Sequence, residues 1–552
     1  MTVSGTAATP RSALAVTIDG VAVHAEEGAS LFECAEAAGV RVPTSCIKQG
    51  KCRECLVEVE EGAALLTPLA PQEAHLAGRF RLSCRARIAA PGVIRCHTLR
   101  RGALRIETEV AGIEAGALAL DPAVTRAGRR VLLEGRVIAE ADGPLHGLAV
   151  DVGTTTVAVR LYDLETGALV ATNAFENPQR FGGTDIMARI RYDGEHKGKL
   201  LQRTLLGYLG HAIEALPCDP LTIYELVVAG NPTMRDLFFG LDVGPIGQMP
   251  YQSVTEEAFR AGRASTTSVS VTGRRLRLPV HPAARVYGLP LIGSHVGADA
   301  AACLLATALF ESEDVTALLD IGTNTEVIVG NRHRILAASC PAGPAFEGGG
   351  VTCGMPALEG AVERVRIRDD GAVETRVVGG AEPAGICGSG LVDLLSELRR
   401  TGGMNEQGRL ADEQDRFVVD AAHRLFLSES DINELAQAKG ANAAGLRIAA
   451  EAYGVTLSDL TRVDLAGGFA RYLDVAAARR IGLIPDLPDD RLRQVGNAAL
   501  EGAAIALRSL SRRRALEDVV RRIEHVRLET HPRFFDIFVE GCQFVPFGQE
   551  SA

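Results

Sequence analysis

The sequence contains no tryptophan, no uncharged apolar run of eighteen residues and no excess of positive charge. Lack of tryptophan by itself excludes nothing. Without a long apolar run no membrane-spanning helix is expected. The opening MTVSGTAATPRSALAV has no basic segment leading into an apolar one, so no secretory leader is expected and the expected location is cytoplasmic. A formal charge of -11 with a pI near 5.7 argues against nucleic acid or an anionic membrane as the main partner. The basic run SRRRALEDVVRR at 511–522 carries interleaved acids and reads as the solvated face of a helix. In a reducing compartment twelve cysteines are not a disulfide framework, so a local cluster of them points to metal or redox chemistry. A chain of 552 residues is several times the usual domain size, which calls for two to four domains.

The cluster exists. SCIKQGKCRECLVEVEEG at 45–62 places Cys46, Cys52 and Cys55 within ten residues. Two short strands, ALAVTIDG and VAVHAEEG, precede it, and Ser30 with Glu33 forms a capping-box pattern that starts the helix LFECAEAAG. A fourth thiol, Cys84, returns in RFRLSCRARI, giving the spacing C-x5-C-x2-C-x28-C. Four thiolates, three on one irregular loop and one brought back by a later strand, can wrap a [2Fe-2S] cluster while loop amides bond its sulfurs. The pattern resembles the plant-type ferredoxins, and the five-residue first gap resembles their adrenodoxin-like variant, which implies a β-grasp fold. A structural zinc site is the alternative, but zinc ribbons carry two close C-x2-C pairs and only Cys52 and Cys55 form one here. Cys34 and Cys96 read as core residues, as do Cys218, Cys303, Cys340, Cys353, Cys387 and Cys542, which show no ligand spacing.

Residues 98–145 are punctuated by glycine and charge without a motif and read as a linker or small connecting domain. Then LAVDVGTTTVAVRLYDLETG at 148–167 runs strand, Asp151, a turn of Gly153, Thr154, Thr155 and Thr156, and a second strand. ALLDIGTNTEVIVGNRHRIL at 317–336 repeats the plan with Asp320 and Gly322, Thr323, Asn324 and Thr325. The two aspartates lie 169 positions apart, in matching contexts that mark an internal duplication. A carboxylate at a strand end can hold Mg2+ directly or through water, and a Gly-Thr turn offers amides and hydroxyls to phosphate. Two such hairpins can clamp one nucleotide. VDLAGGFARYLD puts Gly467 and Gly468 after a short strand, where backbone could approach an adenosine. GICGSGLVDLL at 385–395 opens a helix on a glycine-rich turn, an anion site or a simple cap.

These motifs, in this order over roughly 146–510, resemble the actin, sugar kinase and heat-shock chaperone ATPase superfamily. The resemblance implies two ribonuclease H-like lobes closing over ATP and Mg2+. Asp151 and Asp320 would face the metal, the hairpin residues would hold phosphates, and Gly467, Gly468 and Phe469 would contact adenosine. Asp299 stands where sugar kinases place their catalytic acid and is a candidate for positioning the attacking water, with a helix cap as its alternative.

A ferredoxin domain joined to such an ATPase resembles the reductive activators of corrinoid enzymes, as do SCPAGPAFEGGGVTCGM at 339–355 and GICGSGLVDLL. Only Cys542 lies near the C-terminus, so the chain resembles the single [2Fe-2S] branch. The expected fold is multidomain, α+β and α/β, with a ferredoxin domain at 12–97, a connector at 98–145, a first ATPase lobe at 146–315 and a second lobe with the C-terminal region at 316–552. The resemblance implies ATP-dependent, one-electron reduction of Co(II) to Co(I) in a corrinoid methyltransferase protein, with an upstream electron donor, no nucleic acid, no membrane and a possible homodimer. Plant-type clusters sit near about -400 mV. The cobalt couple is more negative, and each ~100 mV of that gap opposes the electron by about 2.3 kcal/mol. ATP must therefore favour one lobe arrangement over another. The rival readings are a small-molecule kinase, an activator of radical dehydratases and a nucleotide-binding redox sensor.

Overall fold

The computed structural model describes residues 15–44, 46, 48–76, 78–99, 118–411, 414–468 and 470–547. The N-terminal unit is a five-stranded sheet in the order Val21–His24, Ala15–Ile18, Val93–Thr98, Leu56–Glu61, Phe80–Leu82. Ala15–Ile18 and Val93–Thr98, first and last along the chain, pair in parallel and the other neighbours are antiparallel, the arrangement of a β-grasp. The helix Leu31–Ala37 begins where the capping box predicts, with Ser30 and Glu33 each satisfying the other's amide. Cys34 and Cys96 are buried in the core of this unit.

Residues 124–140 form a small sheet of three antiparallel strands, Val124–Ala127, Arg130–Leu133 and Arg136–Glu140. Its Val124 and Val131 enter the same core as the helices Ala298–Thr307 and Ala498–Arg508. Asp121, just before it, accepts from the Ser509 hydroxyl and the Ser511 amide. The connector is thus fastened to the ATPase by packing that its own short sequence does not announce.

The duplication is visible as two six-stranded sheets. In the first, His146–Val152 lies between its antiparallel partner Thr156–Asp163 and a parallel strand, Ile223–Ala229. In the second, Thr316–Ile321 lies between Thr325–Gly330 and Arg462–Ala466 in the same senses. In both, the central strands are apolar on both faces, as strands covered by helices on each side must be. The helices Ala298–Thr307 and Ala498–Arg508 cross between the lobes so closely that a Cβ on Gly502 would meet the Ala302 carbonyl at 1.8 Å. Only glycine fits that crossing.

The basic run at 511–522 is a helix, Leu510–Val520, but it is not solvated throughout. Arg513 is buried and donates to Glu225 Oε1 at 2.8 Å. Desolvating both charges together is tolerable where leaving one alone is not. Among the described residues, no helix is long and apolar enough to cross a membrane.

The 25-residue helix Glu429–Tyr453 carries a buried lysine, Lys439, whose ammonium donates to the carbonyls of Gly541 and Gln543 and so fastens the C-terminal segment. Burial pushes its pKa down from the ordinary lysine value of 10.5 to about 7. The folded chain therefore binds fewer protons than the unfolded chain between those values, and stability should rise as pH increases from 7 to 10.5. In Lys439→Met that rise should be missing, a difference on the order of 4 kcal/mol across the window. Denaturant melts of parent and variant at several pH values would show it, and parallel pH profiles would refute it.

Candidate functional site

Cys55 ends the thiol loop at the start of the strand Leu56–Glu61, and Cys84 follows its partner strand Phe80–Leu82. Leu56 is paired with Leu82 and the Ser83 amide donates to the Cys55 carbonyl, so strand register alone returns the fourth thiol. The Cys55 and Cys84 sulfurs are 3.3 Å apart. Cys46 and Cys52 form the second pair, hydrogen-bonded through their side chains. The loop turns through left-handed backbone at Lys48, Gly50 and Arg53, with φ of 61°, 72° and 63°. These turns aim amides inward. Burial raises the Cys46 pKa, but amides of Cys52, Lys51 and Gln49 outweigh it and bring the thiol down to about 7. Cys84 is lowered by its bond from Cys55, and the Gly50 amide adds to this, while Cys55, the donor of the pair, is driven up.

This donor set fits a [2Fe-2S] cluster. Each iron needs two thiolates, and the sulfurs stand as two pairs with amides directed at them.

The second feature is a cavity of about 320 Å3 between the two lobes. Asp151, Gly153, Thr154, Thr155 and Thr156 line it from the first hairpin, and Asp320, Gly322, Thr323 and Asn324 from the second. Thr325 is buried at the start of its strand and lies outside the lining. Asp299, second residue of the helix Ala298–Thr307, also lines the cavity and accepts from the Ala300 amide. Gly467 and Gly468 also line it, and Phe469 falls outside the described residues. Gly467 has φ of 108°, and a Cβ there would meet the Ile321 carbonyl at 2.2 Å. The tight approach of this turn to the second hairpin thus demands glycine whatever lies in the cavity.

The carboxylates face the cavity yet are enclosed by protein. Burial raises Asp151 to about 6, against a hydrogen bond from Asn497 at 2.9 Å. Burial, then the charge of Asp151, raises Asp320 to about 6. Burial, then Asp320, raises Asp299 to about 8. Glu326, also buried and lining the cavity, is raised too, by burial and then by Asp299 and Asp320. Four acids that resist ionising together are suited to a divalent cation, which supplies the missing positive charge. Mg2+ keeps several waters and takes phosphate ligands, so it does not need a closed protein cage.

Sequence reasoning missed several residues here. Asn497, Glu326 and Glu347 line the cavity, and Cys303 donates its thiol to Asp320 Oδ2 at 3.5 Å, one turn along the helix from Asp299. Asn177 donates its side chain to the Gly153 carbonyl and its amide to the Thr155 carbonyl, both at 2.7 Å. Arg189, itself buried, donates to the Thr154 carbonyl at 2.7 Å. Only Glu326, within the second hairpin's T-N-T-E, carried a local signal.

The segment that grips the first hairpin also carries the ferredoxin domain. Tyr192 donates its hydroxyl to the His75 carbonyl at 3.0 Å, and the His75 ring meets Phe181 edge-on. Arg180 is 3.7 Å from Glu58, and Glu54, set between Cys52 and Cys55, packs against Gly207 and His211. One hydrophobic core runs through both units.

Three family descriptions cover the chain: a 2Fe-2S iron-sulfur cluster binding domain at 11–72, the RACo middle region at 146–312 and the C-terminal ASKHA domain of RACo at 314–551. The corrinoid activation enzyme RamQ of Eubacterium limosum is 32% identical over 435 residues, which is 73% of this chain and 71% of that protein. The chain belongs to the RACo family of reductive activators of corrinoid proteins. A second relative, the [Co(II) methylated amine-specific corrinoid protein] reductase of Methanosarcina barkeri, is 24% identical over 430 residues, covering 72% of this chain and 76% of its own. A solved structure, a reductive activator for a corrinoid, iron-sulfur protein, superposes with a TM-score of 0.70 at 28% identity and covers 97% of this chain and 98% of its own. As in that family, an iron-sulfur domain and an ATPase fold share one chain. The iron-sulfur match ends at 72, and Cys84, beyond it, is brought beside Cys55 by the strand register described above.

Proposed function

We propose that the protein carries out ATP-dependent reductive activation of a corrinoid methyltransferase protein, returning its inactive Co(II) to Co(I) with one electron from an upstream donor. The observation that carries this reading is one segment, 176–192, holding the first phosphate hairpin through Asn177 and Arg189 and the thiol-bearing domain through Arg180 and Tyr192. Nucleotide and redox units are thereby fastened to a common element, as energetic coupling between them requires.

Cys46, Cys52, Cys55 and Cys84 would hold the [2Fe-2S] group, which supplies a one-electron relay when bound. Asp151 and Asp320 would orient Mg2+, directly or through water, and Asn497 keeps Asp151 aimed at the cavity. The hydroxyls and amides of Thr154, Thr155, Thr156, Thr323 and Asn324 would bind phosphate oxygens, and Gly467, Gly468 and Phe469 adenosine. Asp299, which lines the cavity beside them, would position the attacking water by a hydrogen bond. A ligand touching both hairpins favours one arrangement of the two lobes over another. The domains divide at 12–97, 98–145, 146–315 and 316–552 in this reading.

The test is to purify the chain without oxygen and follow the Co(II) absorbance of a candidate corrinoid protein with reductant, with and without ATP and Mg2+. ATP-dependent loss of Co(II) is expected. ATP hydrolysis with cobalt unmoved in every corrinoid partner would overturn the reading.

A further inference from the structure

Glu347 belongs to no hairpin, yet it touches both. It ends the short 3-10 turn Ala345–Glu347 in the second lobe. Its Oε2 accepts from Thr155 Oγ1 of the first hairpin at 2.6 Å and from Thr323 Oγ1 of the second at 2.7 Å. The same carboxylate lies against Gly322, where a Cβ would come within 3.4 Å of Oε1. One anionic oxygen thus draws on the hydroxyls of both lobes at a single point in the cavity.

A hydroxyl has one hydrogen to donate, so Thr155 and Thr323 can serve this carboxylate or a phosphate oxygen, but not both. A phosphate arriving there would also meet the carboxylate charge at close range. The point lies between the lobes, at the Gly322 turn of the second hairpin. In the ATP reading Thr155 and Thr323 bind phosphate oxygens, so a phosphate held by both hairpins at once takes this point.

We infer that Glu347 is a specificity-determining residue that mimics the terminal phosphate, so that ATP must expel it from Thr155 and Thr323 whereas ADP leaves it in place. The inference rests on the ATP reading of the cavity. Expulsion has somewhere to go: Gly348 and Gly350 follow directly, both in left-handed backbone. Beyond them Thr352 donates its amide and hydroxyl to Asp431, in the first turn of the helix Glu429–Tyr453. Movement of Glu347 therefore pulls on a chain segment tied to the longest helix of the second lobe, which gives the terminal phosphate an effect that ADP lacks.

Calorimetric titration of the full chain with ADP and with a non-hydrolysable ATP analogue, each with Mg2+, tests this. In Glu347→Gln, which keeps the shape and removes the charge, the affinity ratio of analogue to ADP should rise by about tenfold, with ADP itself changed less than about twofold. Retained ADP binding shows that the variant is folded. If Glu347→Gln loses ADP, the same ratio is measured in Glu347→Asp, whose shorter arm cannot span both hydroxyls, and it should rise there as well. A ratio that stays at the parent value, or falls, overturns the inference. Failure of the parent chain to bind either nucleotide overturns instead the ATP reading beneath it.

Discussion

Replacing Cys55 by serine is expected to abolish ATP-dependent reduction of a corrinoid partner while leaving ATP turnover within about twofold of the parent, since the first phosphate hairpin keeps the bonds from Asn177 and Arg189 that hold it. Cys55 is fully buried, anchored at the start of a core strand, and its sulfur lies 3.3 Å from that of Cys84. Serine keeps the shape but offers a harder, shorter ligand with no accessible anion, so one thiolate pair loses half its donors. Removing an outer partner of a metal ligand already costs about 10- to 100-fold in affinity, and losing the ligand itself should exceed about 100-fold. The folding cost should be small, because serine keeps the bond from the Ser83 amide to the carbonyl of residue 55 and the pairing of Leu56 with Leu82. Iron content, visible absorbance and the rate of Co(II) loss would all fall together. Retention of iron at the parent level would remove Cys55 from the ligand set.

The second large effect is expected in Asp320→Asn: ATP turnover lower by about 100- to 1,000-fold, corresponding to the several kcal/mol that a metal-held charge contributes to the transition state. The same variant should melt at a higher temperature. Burial and the nearby Asp151 raise the Asp320 pKa from 3.8 to about 6, so its ionised form is disfavoured in the folded chain. That penalty appears as pH rises from 3.8 through 6 and is complete above it. Asparagine never incurs it. The gain in melting temperature should therefore be larger at pH 8 than at pH 5, and the Cys303 thiol can still donate to the amide oxygen. Steady-state hydrolysis and melting curves at the two pH values check both halves. A variant that is more stable and fully active would show that Asp320 faces no metal.

The effects are opposite in sign because the cavity concentrates like charges that folding alone would not assemble. Burial raises all four acids, Asp151 adds to the cost at Asp320, and Asp320 adds to it at Asp299 and Glu326, a cost that a bound cation would relieve. Stability given up at such a place is the usual mark of a functional site.

Much of this was legible in the sequence because it is local. A capping box spans four residues, the thiol loop ten, and each Asp-Gly-Thr hairpin fewer than twenty, so their chemistry is written in near neighbours whose geometry the backbone alone dictates. The duplication added a long-range fact, since two hairpins of one plan imply two lobes with a shared cleft. What the sequence could not show are the contacts made by residues without a motif. Glu347 lies 192 positions from Thr155, and Asn497 lies 346 from Asp151. Arg513 reads as one more surface arginine until the helix packs it onto Glu225, 288 positions away. The docking of the ferredoxin domain on Arg180 and Tyr192 is of the same kind. Nothing near these residues in the chain distinguishes them from ordinary surface or turn positions, because what selects them is the charge or hydroxyl they meet after the lobes pack. The sequence by itself therefore determined the joining of a ferredoxin unit to an ATPase fold, the spacing of the thiols and the paired hairpins, through short-range geometry. Tertiary structure alone decided which carboxylate bridges the lobes, which side chains aim the hairpins and where the redox domain rests.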